Sequence, residues 1–266
     1  MRERILSAIV GLALIIPAIY YGRQLGIEIV VGIAILIGID EYVRMATPNH
    51  KAVGFGGLAL TGLGLYLQII HGAPAMTTGV LALGAIVLML LGMFTVPDTK
   101  EGAAVGTRLT AGLLYVVVLF SFLPLISRFD GGLAWIALIL SVTWAGDTGA
   151  YFSGRALGKT KLFERVSPKK TWEGFAGGFV GSIVGALIVQ RLGLPNLPVM
   201  HAVILGGLLN VFGVVGDLVE SMLKRAYGVK DSGWIMPGHG GILDRVDSIL
   251  FTAPVAWIYA TLLQLG

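Results

Sequence analysis

The chain has 266 residues, of which 56% are hydrophobic and 13% charged, with a net charge of +4 and no cysteine. An ordinary soluble domain carries about 25% charged residues, so this composition, with a mean hydropathy of +0.85, is that of an integral membrane protein. The absence of Cys excludes disulfides and thiolate metal sites, and leaves carboxylates as the ligands for a hard cation such as magnesium.

Apolar segments are predicted at roughly 5–21, 25–43, 54–71, 76–94, 109–127, 132–150, 174–191, 200–216 and 248–264. Each is long enough, or nearly so, to cross a bilayer as a helix. The expected fold is therefore an all-α polytopic bundle of about nine transmembrane helices, forming one domain over 1–266. Residues 1–130 serve mainly as scaffold and 131–266 as the catalytic half. The segment after Met1-Arg2-Glu3-Arg4 lacks a small-residue cleavage site and is expected to be a retained span. With the N-terminus cytoplasmic, all Lys and Arg residues except Arg23, Arg128 and Arg191 fall in cytoplasmic connections. The positive-inside rule then predicts a C-terminus outside and a polar site facing the cytoplasm of an inner membrane. A charge distributed this way sets topology and does not imply nucleic acid.

The first five segments carry little chemistry. Asp40 and Glu41 close the second and are expected to be solvated end residues, because polar groups at span ends reach water cheaply. Segment six ends near Asp147, a carboxylate close to hydrocarbon and hence a candidate site residue, with pairing to Arg155 as the structural alternative. The following connection holds Ser167-Pro168-Lys169-Lys170-Thr171-Trp172-Glu173-Gly174. Ser167 reads as an N-cap with Pro at the first helical position, which would put Lys169 and Lys170 at a helix N-terminus suited to anions. The same lysines could equally serve topology alone. Segment seven repeats small residues at Gly174/Gly178 and Gly177/Gly181/Gly185, a spacing for close helix packing within the chain or between chains. Asn210 in segment eight is expected to make an interhelical hydrogen bond.

The stretch from Ser221 to Asp247 concentrates seven charged side chains, one His and five Gly between apolar segments. Asp217, Glu220, Ser221 and Lys224 share one helical face, and Asp244 and Asp247 are three apart at the start of the last segment. Carboxylates at Asp147, Asp217, Asp244 and Asp247 would repel by about 4 kcal/mol per pair at 4 Å with an effective dielectric near 20, so a cluster of them calls for cations. Magnesium, which prefers a few carboxylates plus substrate phosphates, suits such a set.

Ser221, Lys224-Arg225, Lys230-Asp231, His239-Gly240-Gly241 and Asp244-Arg245-Val246-Asp247 together resemble the C-terminal signature of the phosphatidate cytidylyltransferases, or CDP-diacylglycerol synthases. The resemblance implies CTP and membrane-resident phosphatidic acid as substrates, with CDP-diacylglycerol and pyrophosphate as products. It implies Asp217, Asp244, Asp247 and Lys224 as catalytic residues, with Asp147, Asp217, Asp244 and Asp247 around metal. It implies Lys169, Lys170, Ser221, Arg225, Lys230, Asp231, His239 and Arg245 as substrate-binding residues, with His239 alternatively a structural part of its glycine turn. Magnesium, a second ion such as K+, and a homodimer follow from the same resemblance. A CTP-dependent enzyme acting on an isoprenoid lipid and a secondary transporter using Asp147 are the alternatives; the transporter is disfavoured because the charges lie at one boundary rather than the midplane.

Overall fold

A computed structural model describes residues 2–234 and 240–266, with side chains described at residue 22 and from residue 24 onward. Among the described residues the regular elements are helices apart from one short hairpin. The chain runs α1 (Arg2–Ala46), a 3-10 turn (Pro48–His50), α2 (Lys51–His71), α3 (Pro74–Thr95), α4 (Thr99–Gly112), a π-helical turn (Leu113–Val118), α5 (Leu119–Ile126) and α6 (Gly132–Leu157). The strands β1 (Lys161–Phe163) and β2 (Ser167–Thr171) follow, then α7 (Trp172–Gly193), α8 (Val199–Ala226) and α9 (Leu243–Leu262). Six stretches among the described residues are long and apolar enough to cross a membrane: Pro48–His71, Pro74–Thr95, Thr99–Ile126, Gly132–Leu157, Trp172–Gly193 and Val199–Ala226.

Two sequence expectations are corrected here. The first two apolar segments are one helix, α1, which continues through Gly22 and Arg23 without a turn. Its 45 residues measure about 68 Å at 1.5 Å per residue, so the alternation that relied on a loop near residue 22 loses its first step. The second correction is the hairpin. Ser167–Thr171 is a strand paired antiparallel with β1, Lys161 opposite Thr171 and Phe163 opposite Ser167. Pro168 is tolerated because a two-stranded hairpin consists only of edges.

The chain divides into two compact units, one of residues 1–124 and 231–245, the other of 125–230 and 246–266. In the first, α1 to α5 pack through small residues. A Cβ on Gly92 of α3 would lie 2.4 Å from the Gly102 carbonyl oxygen of α4, so those backbones touch. Tyr42 Oη donates to the Arg108 carbonyl at 2.9 Å, and Arg108 Nη1 donates to the Ala46 carbonyl at 3.2 Å, which ties the end of α1 to α4.

In the second unit, α6 and α7 are in backbone contact along the glycine repeat. Added Cβ atoms on Gly149 and Gly181 would each stand 2.4 Å from a carbonyl oxygen, of Gly177 and Ala145 respectively, and one on Gly185 would stand 2.8 Å from that of Ser141. The small-residue spacing of segment seven therefore serves packing within the chain, against α6. Asn210 Nδ2 of α8 donates to Ser182 Oγ of α7 at 3.0 Å, and Ser182 Oγ donates to the Val142 carbonyl of α6 at 2.9 Å, giving the expected interhelical bond. Gly216 of α8 approaches α9 closely, for its Cβ would stand 2.6 Å from the Asp247 carbonyl oxygen. This approach, one residue before Asp217, is what sets Asp217 beside Asp247.

Large apolar side chains such as Leu60, Met93 and Phe94 in the first unit, and Ile188 and Leu192 in the second, stand exposed on the helix faces. Apolar exposure on this scale fits a chain whose helices are embedded in a membrane.

Candidate active site

The second unit contains a cleft of about 400 Å³ whose walls include Asp147, Tyr151, Arg155, Lys169, Lys170 and Asp217. Each helix contributes by its local register. Asp147 stands on the last part of α6, Asp217 lies beyond the apolar stretch of α8, and the lysines come from β2, immediately before α7.

Lys170 Nζ pairs with Asp217 Oδ2 at 2.6 Å, the two side chains being 24% and 33% exposed. Ser221 Oγ, one turn along α8, donates to Asp217 Oδ1 at 3.3 Å, so both carboxylate oxygens are engaged. Asp147 lies in the field of Asp217 and Lys170, and Asp247 in that of Asp217, Lys170 and Lys224. Asp247 Oδ1 also accepts from the Ser248 amide at 2.6 Å. Three predicted carboxylates and two predicted lysines thus form one electrostatic group. Arg155 does not neutralise Asp147 by hydrogen bonding; its Nη1 donates to Tyr151 Oη at 3.1 Å.

Lysines 169 and 170 do not sit on a helix N-terminus. The N-cap of α7 is Thr171, whose Oγ1 accepts from the Gly174 amide at 3.1 Å, while the Trp172 amide donates to the Thr160 carbonyl at 3.0 Å. Those amides are spent locally, which removes the anion cradle that the Ser167 N-cap would have made. Of the two, Lys170 pairs with Asp217, while Lys169 lines the cleft with its side chain exposed. The hairpin is braced by Glu173, whose carboxylate accepts from the amides of Lys159 at 3.1 Å and Thr160 at 3.2 Å, and by Lys161 Nζ donating to the Pro168 carbonyl at 2.7 Å. The signal for the true cap was present in Thr171 with Glu173 soon after it, but Ser167-Pro168 offered the same pattern earlier.

Lys224 is paired with the buried carboxylate of Glu220 on the preceding turn of α8. Arg225 Nη1 donates to the Val229 carbonyl at 3.3 Å, closing the end of α8, where Gly228 takes φ +73°. Lys230 is exposed and is not a wall of the cleft. Asp231 and Arg245 are exposed in the first unit. His239 lies outside the described residues.

Asp244 also belongs to the first unit, and there it organises the chain around it. Its Oδ2 accepts from the amides of Ser232 and Gly241, each at 2.8 Å, and from Ser232 Oγ at 2.9 Å. Gly240 has φ +80°, and a Cβ there would stand 2.6 Å from the same oxygen. The glycine at 240 is thus required twice, by its left-handed backbone and by the approach of the carboxylate.

Glu41 was missed by sequence reasoning. It is 4% exposed, not solvated. Its carboxylate accepts from the Ile242 amide at 2.8 Å, the Leu243 amide at 3.0 Å and Ser232 Oγ at 3.1 Å. Its neighbour Asp40 behaves as expected, half-exposed and paired with Arg44 at 2.7 Å. Position at a span end was the same for both acids, and only the fold separates them.

Among the described residues no three Asp, Glu or His side chains converge as a ready metal cage. The donor set in the second unit, a few carboxylates beside lysines, instead suits magnesium, which takes one or two carboxylates and fills its remaining positions with water and substrate phosphate.

The cytidylyltransferase family model matches residues 2–263. The phosphatidate cytidylyltransferase of Bacillus subtilis is 37% identical, covering 98% of this chain and 98% of its own length. That of Synechocystis is 36% identical, over 98% of this chain and 97% of its own, and that of Pseudomonas aeruginosa 34% identical, over 96% and 95%. With a match that runs nearly from end to end, the chain belongs to the cytidylyltransferase family.

Proposed function

We propose that the chain transfers CMP from CTP to phosphatidic acid, giving CDP-diacylglycerol and pyrophosphate. What carries this reading is the pairing of Lys170 with Asp217 in a cleft beside Asp147, in a chain similar along almost its whole length to phosphatidate cytidylyltransferases. An oxygen of the lipid phosphate attacks the α-phosphorus of CTP. A new P–O bond forms to the lipid, the bond between the α-phosphorus and its bridging oxygen breaks, and pyrophosphate leaves with that oxygen. A phosphate monoester with a second pKa near 6 is already mostly dianionic at pH 7, so no general base is required.

The difficulty is to bring two anions together, and catalysis is therefore positioning with electrostatic stabilisation. Lys170 and Lys169 offer ammonium groups to phosphate oxygens, and Lys170 exchanges Asp217 for substrate as the nucleotide enters. Asp217 and Asp247, with Asp147 close by, are the residues that would hold magnesium, which supplies positive charge against the phosphates. The exposed apolar helix faces support a site reached by a substrate that stays in the bilayer. The lysine and arginine distribution supports a cleft on the cytoplasmic side with residue 266 outside, and the family resemblance supports a homodimer.

The test is to give the purified protein labelled CTP and magnesium with either phosphatidic acid or an isoprenoid lipid, and to identify the labelled lipid. CDP-diacylglycerol formed only with phosphatidic acid is the expected result. Label appearing only in the isoprenoid lipid would overturn the assignment.

A further inference from the structure

Ser232 and residues 241–244 are held by two buried contacts that meet at one hydroxyl. Glu41, near the end of α1, accepts from the Ile242 and Leu243 amides at the start of α9 and lies 3.1 Å from Ser232 Oγ. Asp244 Oδ2 lies 2.9 Å from that same oxygen and accepts the Ser232 and Gly241 amides. All of these residues belong to the first unit. The first turn of a helix exposes amides that have no partner within the helix, and a carboxylate there is favoured by both hydrogen bonding and the helix dipole. Glu41 therefore caps α9 from a position about 200 residues earlier in the chain.

The glycines of the segment fit this arrangement. A Cβ on Gly233 would stand 2.5 Å from Glu41 Oε1, and one on Gly241 would stand 2.3 Å from Glu41 Oε2. Gly233 and Gly241 both approach the Glu41 carboxylate at a distance that excludes a side chain at either position. Leu243 is fully buried and packs against α1 beside Gly38, one turn before Glu41. The contact thus has an apolar half and a charged half on one face of α1.

We infer that Glu41 is a positioning residue: by capping α9 and holding Ser232, it sets where Asp244 stands in the signature segment. The inference rests on the cytidylyltransferase reading for its effect on turnover, though not for the contact itself. Glutamine at 41 keeps the size of the side chain. It replaces one accepting oxygen with an NH₂ group, which must then face a donor, whichever way the amide turns. The start of α9 loosens, and a misplacement of about 1 Å can cost on the order of 100-fold in rate.

The experiment compares wild type, Glu41→Gln, Ser232→Ala and, as control, Asp40→Asn. It reads kcat and the apparent KM for CTP, together with hydrogen exchange at the amides of residues 232 and 241–244. Glu41→Gln is expected to lower kcat by about 10- to 100-fold, with KM for CTP within about twofold, because Glu41 acts through the chain it holds. Exchange at those amides should rise while the rest of the backbone is unchanged. Ser232→Ala should do the same more weakly, and Asp40→Asn should do neither. Wild-type kcat and exchange in Glu41→Gln, or a lowered kcat with unchanged local exchange, would overturn the inference. If Glu41→Gln does not fold, Ser232→Ala decides, and wild-type behaviour there counts against the proposal. Failure of wild type to make CDP-diacylglycerol would instead sink the functional reading, leaving the exchange data to judge the contact alone.

Discussion

The two lysines of β2 are chemically identical neighbours with different surroundings. Lys170 is paired with Asp217 at 2.6 Å, whereas Lys169 lines the same cleft with its side chain exposed. Lys170→Arg is expected to cost more activity than Lys169→Arg, by about tenfold or more, because a guanidinium fork binds a carboxylate at two points and releases it less readily than an ammonium does. Equal rates for the two variants, measured as labelled lipid per unit time, would separate catalysis from the Lys170–Asp217 pair. A second contrast concerns the carboxylates of α9. Asp247→Asn should lower turnover by orders of magnitude in a protein with normal exchange at residues 232 and 241–244, because it removes charge from the proposed cation site. Asp244→Ala should lower turnover and also raise that exchange, since it removes the oxygen that accepts from the Ser232 and Gly241 amides. Both acids look alike in the sequence, three residues apart on one helix. Their hydrogen-bond partners differ.

At the scale of elements, the α6–α7 pair rests on backbone contact that only glycine allows. Gly181→Ala would place a methyl group 2.4 Å from the Ala145 carbonyl oxygen, and overpacking of this kind typically costs about 1–3 kcal/mol. A methyl group added at Gly64 of α2 would meet nothing within 4 Å, and alanine in a helix interior is favoured over glycine by about 0.5–1 kcal/mol. Thermal unfolding in detergent should therefore show a lowered Tm for Gly181→Ala and an unchanged or raised one for Gly64→Ala. A Gly181→Ala protein as stable as wild type would mean that the two helices separate at little cost. The same close approach places Asp147 of α6 and Lys170, just before α7, around one cleft, so Gly181→Ala should also reduce activity.

For the whole molecule, the absence of Cys makes topology directly measurable. A single Cys at Lys161 or Lys230 should be protected from an impermeant thiol reagent in sealed right-side-out cells, and one at Gly266 should be labelled. Because α1 runs through Gly22 without a turn, a Cys at that position should label poorly; strong labelling would restore a break between two spans. Composition alone determined that the chain is a helical membrane protein, since only helices and closed barrels satisfy backbone groups in lipid and these apolar runs have helical length. Spacing on α8 likewise determined that Asp217 and Ser221 share a face, because helical periodicity is a local property. The tertiary structure decided what local pattern leaves degenerate. Ser167 and Thr171 are both acceptable N-caps, and hairpin pairing with 161–163 selects Thr171. Asp40 and Glu41 are adjacent acids at a span end, and the contacts of Ser232, Ile242 and Leu243 with α1 accompany the burial of one while the other stays half-exposed. Such choices rest on contacts between residues as many as 202 positions apart, whose energies depend on where distant backbone amides arrive, and no window of sequence contains that.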